Sequence, residues 1–143
     1  MPDLSIEFVS EEIDFTLQQT NEISIWLRTI ITEHQFKLEN LTYIFCDDNY
    51  LLEINQEYLD HDTLTDIITF NNADEVGIIE SDIFISIERV RENANNLKVD
   101  LRDELHRVMA HGVLHLLGYD DKTNDLKQQM RSKEDYYLSL RNF

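Results

Sequence analysis

His111-Gly112-Val113-Leu114-His115-Leu116-Leu117-Gly118-Tyr119-Asp120-Asp121 is the stretch on which the reading of this chain turns. Two imidazoles four residues apart on a helix lie about 6 Å apart along its axis and roughly 40° apart around it. Both rings can therefore grip one tetrahedral ion from the same face. Gly118 stands where such a helix would stop, because glycine takes the left-handed conformation at C′ without a Cβ penalty. The chain can then fold back and offer a third ligand from Tyr119, Asp120 or Asp121. Three protein ligands and one open position make a catalytic pattern, since a structural zinc normally has four.

The residues upstream support a helix. Leu101, Leu105, Val108, Gly112 and Leu116 fall on one stripe, the expected core face, and His111 and His115 lie together at its edge. Edge placement suits a ligand pair at the boundary between packed side chains and solvent. His106 sits about 140° around from His111 and cannot share the ion. His34 follows another helical segment and is expected to be exposed.

The spacing His-x3-His-x2-Gly resembles the metzincin helix and turn, except that Gly112 stands where those proteases carry their glutamate base. The longer string His-Gly-Val-Leu-His-Leu-Leu-Gly-Tyr-Asp-Asp is similar to the hallmark of the YbeY family of bacterial endoribonucleases, with Asp121 in place of the usual third histidine. Asn55, Tyr58, Asp62, Thr65, Asp66 and Phe70 match a second family segment, and Asp82-Ile83-Phe84-Ile85-Ser86 a third, with Ser81 replacing a glycine. The resemblance runs in order from about Leu41 to the C-terminus. It implies a zinc-dependent endoribonuclease acting on single-stranded RNA in ribosomal RNA maturation and ribosome quality control. Its implied partners are a ribosomal RNA precursor and the ribosome or ribosomal proteins, with no membrane.

The metal set expected is His111, His115 and Asp121, with Asp120 as the competing third ligand and one Zn2+ per chain. Carboxylate oxygen is a competent zinc ligand. It lowers the net charge of the centre and should leave a bound water less acidic. Leu59 and His61 replace a family arginine and lysine that would help hold phosphate. Weak activity is expected in consequence, with Leu59→Arg raising it. No side chain is assigned as general base; the nucleophile expected is water activated by the ion. Asp66 is the candidate for orienting a ligand imidazole through its other ring nitrogen, as metal sites usually require. Glu104 lies on the histidine face about 10 Å from His111 along the axis, too far to be a ligand, and is expected at the surface. Two other functions fit parts of the pattern. One is a zinc peptidase or amidase, which Gly112 disfavours. The other is a non-catalytic ribosome-associated zinc protein.

Composition sets the outer bounds. The 143 residues suit one hydrolase domain, 1–143, and no run of 18 apolar residues exists. The N-terminus lacks the regions of a signal peptide, and a cytoplasmic address is expected. Cys46 is alone in an apolar run and reads as a small core residue. The net charge of −17 is unevenly spread: residues 1–85 hold 2 basic and 19 acidic side chains, whereas 86–143 hold 10 of each. RNA contacts are therefore expected in the second part, from among Lys98, Arg102, Arg107, Lys122, Lys127, Arg131 and Lys133. Arg107, Lys127 and Arg131 are the candidates for substrate binding.

Strands are expected at Leu4–Phe8, Leu41–Cys46, Ile67–Phe70 and within 78–85. Helices are expected over Phe15–Glu33, from Asp47 or Asp48 to Leu59, Glu88–Leu97, Asp100–Leu117 and Asp125–Leu140. This mixture predicts an α+β fold, a small mixed sheet of about four strands packed with about five helices.

Overall fold

The computed structural model describes residues 5–60 and 64–143; Leu4, the start of the first expected strand, and His61 and Asp62 lie outside the described residues. The architecture is α+β, as the sequence implies. Its elements run β1 (Ile6–Ser10), α1 (Thr20–Glu33), β2 (Lys37–Cys46), α2 (Asp48–Leu59), β3 (Ile67–Asn71), β4 (Ile78–Ser86), α3 (Ile87–Leu97), α4 (Leu101–Leu116) and α5 (Asn124–Ser139). The sheet order is β1-β2-β4-β3. β1, β2 and β4 are parallel neighbours, and β3 pairs antiparallel with β4 at one edge.

Alternation along the strands divides the interior in two. Leu41, Tyr43 and Phe45 of β2 and Ile79, Ile83 and Ile85 of β4 join the main core with α1 and α4. Cys46, Ile68, Phe70 and Phe84 point the other way and pack with Leu51 and Ile54 of α2. Cys46 is fully buried and its thiol is pushed up to about 12, first by that burial and then by Asp47 and Asp48, so it is an inert core residue. Helices α2, α3 and α5 start at side-chain caps: Asp47 accepts from the Tyr50 amide at 2.8 Å, Ser86 from Arg89 at 3.1 Å and Thr123 from Leu126 at 3.1 Å.

Two expectations need correction. The first long helix begins at Thr20, not Phe15: Gln19 is left-handed at φ 58°, and the segment before it is not helical. Phe15 and Leu17 do reach the core, but from a non-helical segment, so their apolar spacing recorded burial and not periodicity. The single core stripe on α4 was too narrow. Met109, Ala110, Val113 and Leu114 are fully buried as well, because α4 packs among α1, α3, α5 and the sheet. Each of the larger chains contributes roughly 1.5–3 kcal/mol by leaving water. Tyr43 pins this central helix to the sheet by donating its hydroxyl to the Met109 carbonyl at 2.9 Å.

Gly112 sits where α4 comes closest to the strands. A Cβ built there would meet Cδ1 of Ile67 and of Ile83, each at 3.0 Å. A side chain at this position points into the sheet and away from the histidine face. The missing protease glutamate is thus explained by packing.

Candidate metal centre

The site begins with how α4 ends. Leu117 closes the helix, the Gly118 amide donates to the His115 carbonyl at 3.1 Å, and the Tyr119 amide donates to Leu114 at 3.1 Å. This is a Schellman closure with Gly118 at φ +109°, a conformation that favours glycine. It turns the chain back so that Asp121 faces the histidines. Asp121 Oδ2 lies 3.5 Å from His111 Nε2, and Oδ1 lies 3.5 Å from His115 Nε2. One ligand atom from each of the three residues falls within 4.8 Å of the others. Two imidazole nitrogens and a carboxylate oxygen at that separation are a donor set suited to a divalent ion such as zinc.

Asp120, the competing ligand, is engaged elsewhere. Its Oδ1 accepts from the backbone amides of Asp121 at 2.6 Å and Lys122 at 3.1 Å, which stabilises the turn.

The group that orients His111 is Glu134 of α5, which the sequence reading did not single out. Its Oε2 lies 2.7 Å from His111 Nδ1, and a carboxylate can only accept, so the ring proton belongs on Nδ1 and the Nε2 lone pair faces the cluster. Glu134 is 4 % exposed, and its Oε1 accepts from Arg107 Nη1 at 3.1 Å. Arg107 also meets Asp135 at 2.8 Å and lies 4.0 Å from Glu104. Burial alone would lower the pKa of His111; the hydrogen bond and charge of Glu134, with Asp121 and Asp66, raise it on balance.

Asp66, expected in that orienting role, makes no hydrogen bond to either histidine among the described residues; its Oδ2 accepts from Asn93 at 3.5 Å. It nevertheless borders His111, and burial raises its pKa against the opposing pull of that histidine. Glu104 is buried, 6 % exposed, contrary to the surface position expected, and burial raises its pKa while Arg107 opposes the shift. His34 is half-buried, not exposed: its Nε2 lies 2.9 Å from the Tyr119 hydroxyl and its Nδ1 2.7 Å from the Ile30 carbonyl. His106 points away into the core, where Arg141 Nη1 donates to its Nδ1 at 2.7 Å. Its pKa is pushed down to about 4, first by burial and then by Arg141 and Arg102.

Two grooves flank the cluster and share His111, Asp121, Asp66 and Ile67. The first, of about 530 Å3, lies between α4 and α5 and takes in Glu104, Arg107, Lys127, Arg131 and Glu134. The second, of about 700 Å3, is lined by Asn55 and Leu59 of α2, Thr69 and Asn71 of β3, and His115. The three cations expected to meet substrate all line the first groove. Lys127 and Arg131 are exposed there, but the guanidinium of Arg107 is occupied by carboxylates. Arg102 instead donates to Gln19 at 2.9 Å, and Lys133 lies over the Tyr119 ring. The acidic first part of the chain also reaches the site, through Leu59, Thr65, Asp66, Thr69 and Asn71.

Comparison with known proteins fits this geometry. A family model described as endoribonuclease YbeY matches residues 5–141. A protein of that name from Cytophaga hutchinsonii is 52 % identical over 143 residues, covering all of both chains. Another from Flavobacterium psychrophilum is 53 % identical over 131 residues, covering 90 % of this chain and 91 % of its own. A solution structure of a Thermotoga maritima protein shares the fold, with a TM-score of 0.64 at 24 % identity, covering 94 % of this chain and 87 % of that one. By sequence over nearly its whole length, and by fold, this chain belongs to the YbeY endoribonuclease family.

Proposed function

We propose that this protein is a zinc-dependent endoribonuclease, a single hydrolase domain that cuts single-stranded segments of ribosomal RNA precursors in the cytoplasm. The observation that carries the reading is the convergence of His111, His115 and Asp121 where two open grooves meet. Family membership supplies the substrate class, and the donor set favours zinc. Among the described residues no helix is long and apolar enough to cross a membrane. Association with the ribosome or its proteins belongs to the same proposal and would add the positive charge that this chain is short of.

An ion held there supplies Lewis-acid polarisation of a phosphoryl oxygen and makes a bound water more acidic. The chain's own residues do the rest. Glu134 holds His111 in the tautomer that presents Nε2, and Arg107 fixes Glu134 in place through a 3.1 Å ion pair. Lys127 and Arg131 attract the phosphates that flank the scissile bond. Asp66, whose pKa is raised by burial, borders His111 and is the group suited to exchanging protons with solvent or product there.

Incubating the purified chain with an unstructured RNA, with and without added zinc, tests the proposal. Slow zinc-dependent cleavage, abolished in His115→Ala, is expected. Cleavage that persists in a folded His115→Ala protein, or none in the zinc-loaded native chain, would overturn it.

A further inference from the structure

The two grooves differ in charge in a way that assigns each a different part of the substrate. The helical groove presents Lys127 and Arg131, exposed and four apart on α5, so both project from one face. The other groove is built, apart from its α4 and Asp121 side, from a stretch of chain, residues 38–88, that contains no Lys or Arg. Asp66 and Asp121 add negative charge to it. Among the described residues that line it there is no Lys or Arg to meet a phosphate.

What the second groove does present is neutral hydrogen-bonding capacity. Thr69 and Asn71 are two apart on β3, so their side chains share one face of that strand. Asn71 Oδ1 accepts from the Ala73 amide at 3.0 Å; its Nδ2 and the Thr69 hydroxyl have no hydrogen-bond partner among the described residues. β3 is an edge strand, so part of its backbone also faces outward. Leu59, 43 % exposed, adds an apolar surface against which a planar ring can lie. Donors, acceptors and an apolar face, without cations, are what a splayed-out nucleobase needs.

We propose that the metal cluster divides the RNA path in two, with phosphate held on the α5 side by Lys127 and Arg131 and an unstacked base read on the β3 side by Thr69 and Asn71. This rests on the endoribonuclease reading and adds to it a site of base recognition. The base contacts act by hydrogen bonding and should be indifferent to salt. The phosphate contacts release counterions and should carry the salt dependence.

The test is an anisotropy titration of the full chain with labelled single-stranded RNA hexamers, some carrying an abasic residue at successive positions, with strand integrity checked afterwards. The native chain is expected to bind the intact strand at least tenfold more tightly than the hexamer abasic at one position. Thr69→Val with Asn71→Ala should erase that preference and keep the salt slope. Lys127→Glu with Arg131→Glu should flatten the slope and keep the preference. Equal affinity for intact and abasic strands in the native chain would overturn the proposal, as would a preference that survives in the folded Thr69/Asn71 variant. No saturable binding to any strand would instead overturn the endoribonuclease reading, and this inference with it.

Discussion

The wall that α4 and α5 raise beside His111 is built from buried charge, whereas the wall that β3 and α2 raise beside His115 is neutral and open. On the first, Glu134 is nearly sealed from solvent and bonded to both His111 and Arg107. On the second, His115 is exposed, and Asp121 is its only ion-pair partner among the described residues. Burying an ion pair is costly unless its geometry is good, so such a network is expected where a fixed orientation matters more than net stability. The contrast gives the first wall a buried network that fixes His111 beneath the exposed Lys127 and Arg131, and leaves the second wall without such a network.

Forcing the walls apart should have the largest effect. Gly112→Glu restores the residue a protease would carry, but directs it at Ile67 and Ile83. A carboxylate buried there without a partner should cost about 4 kcal/mol or more and lower the thermal midpoint by roughly 10 °C or more. Thermal unfolding checks this. A stable Gly112→Glu protein that hydrolyses peptides would break the account of why the glycine is there.

Acid should also act on the back of the helical wall, through His106. His106 titrates near 4 in the folded protein against an ordinary 6.5, so between those values the unfolded chain binds more protons. Stability should therefore fall as pH drops from about 6.5 towards 4 and level off below, by about 3 kcal/mol in all from this residue. Denaturant unfolding across that range checks the profile. His106→Gln, which keeps an acceptor for Arg141, should remove this component.

Loosening the helical wall at one atom is a smaller perturbation. Glu134→Gln keeps the shape but weakens the hold on His111, and should lower metal affinity by about 10–100-fold. A competition titration with a chromophoric chelator reads this directly. Unchanged affinity would mean that the 2.7 Å contact does not tune the site.

Making the neutral wall resemble the charged one should have the smallest effect on binding. Leu59→Arg places a cation in the β3 groove and should steepen the salt dependence of single-strand binding by about 0.7. Cleavage should rise by roughly tenfold or more if the new cation also reaches the transition state. Salt-dependent anisotropy and a cleavage time course measure the two separately.

The difference between the walls also explains what the sequence disclosed. The candidate ligands His111, His115 and Asp121 lie within eleven residues of chain, and helical spacing plus one glycine turn is enough to bring such residues together. Strand alternation and the capping residue Asp47 likewise act locally, which is why most elements are visible in the sequence. Glu134 meets His111 across 23 residues, and the contact depends on how α5 packs on α4. A signal was present all the same: Glu134 falls between Met130 and Tyr137 at helical spacing, an acid on a buried stripe. Glu104, beside Leu105 and four before Val108, carried the same signal. Its burial escapes a single-stripe reading because α4 packs on several sides.

The central claim is that His111, His115 and Asp121 hold one divalent ion and that Asp120 only shapes the turn. Zinc titration of the native chain alongside Asp121→Ala and Asp120→Asn tests it most directly. The account predicts one zinc per native chain, affinity reduced by two or more orders of magnitude in Asp121→Ala, and near-native affinity in Asp120→Asn. Unchanged affinity in Asp121→Ala, or a collapse confined to Asp120→Asn, would contradict it.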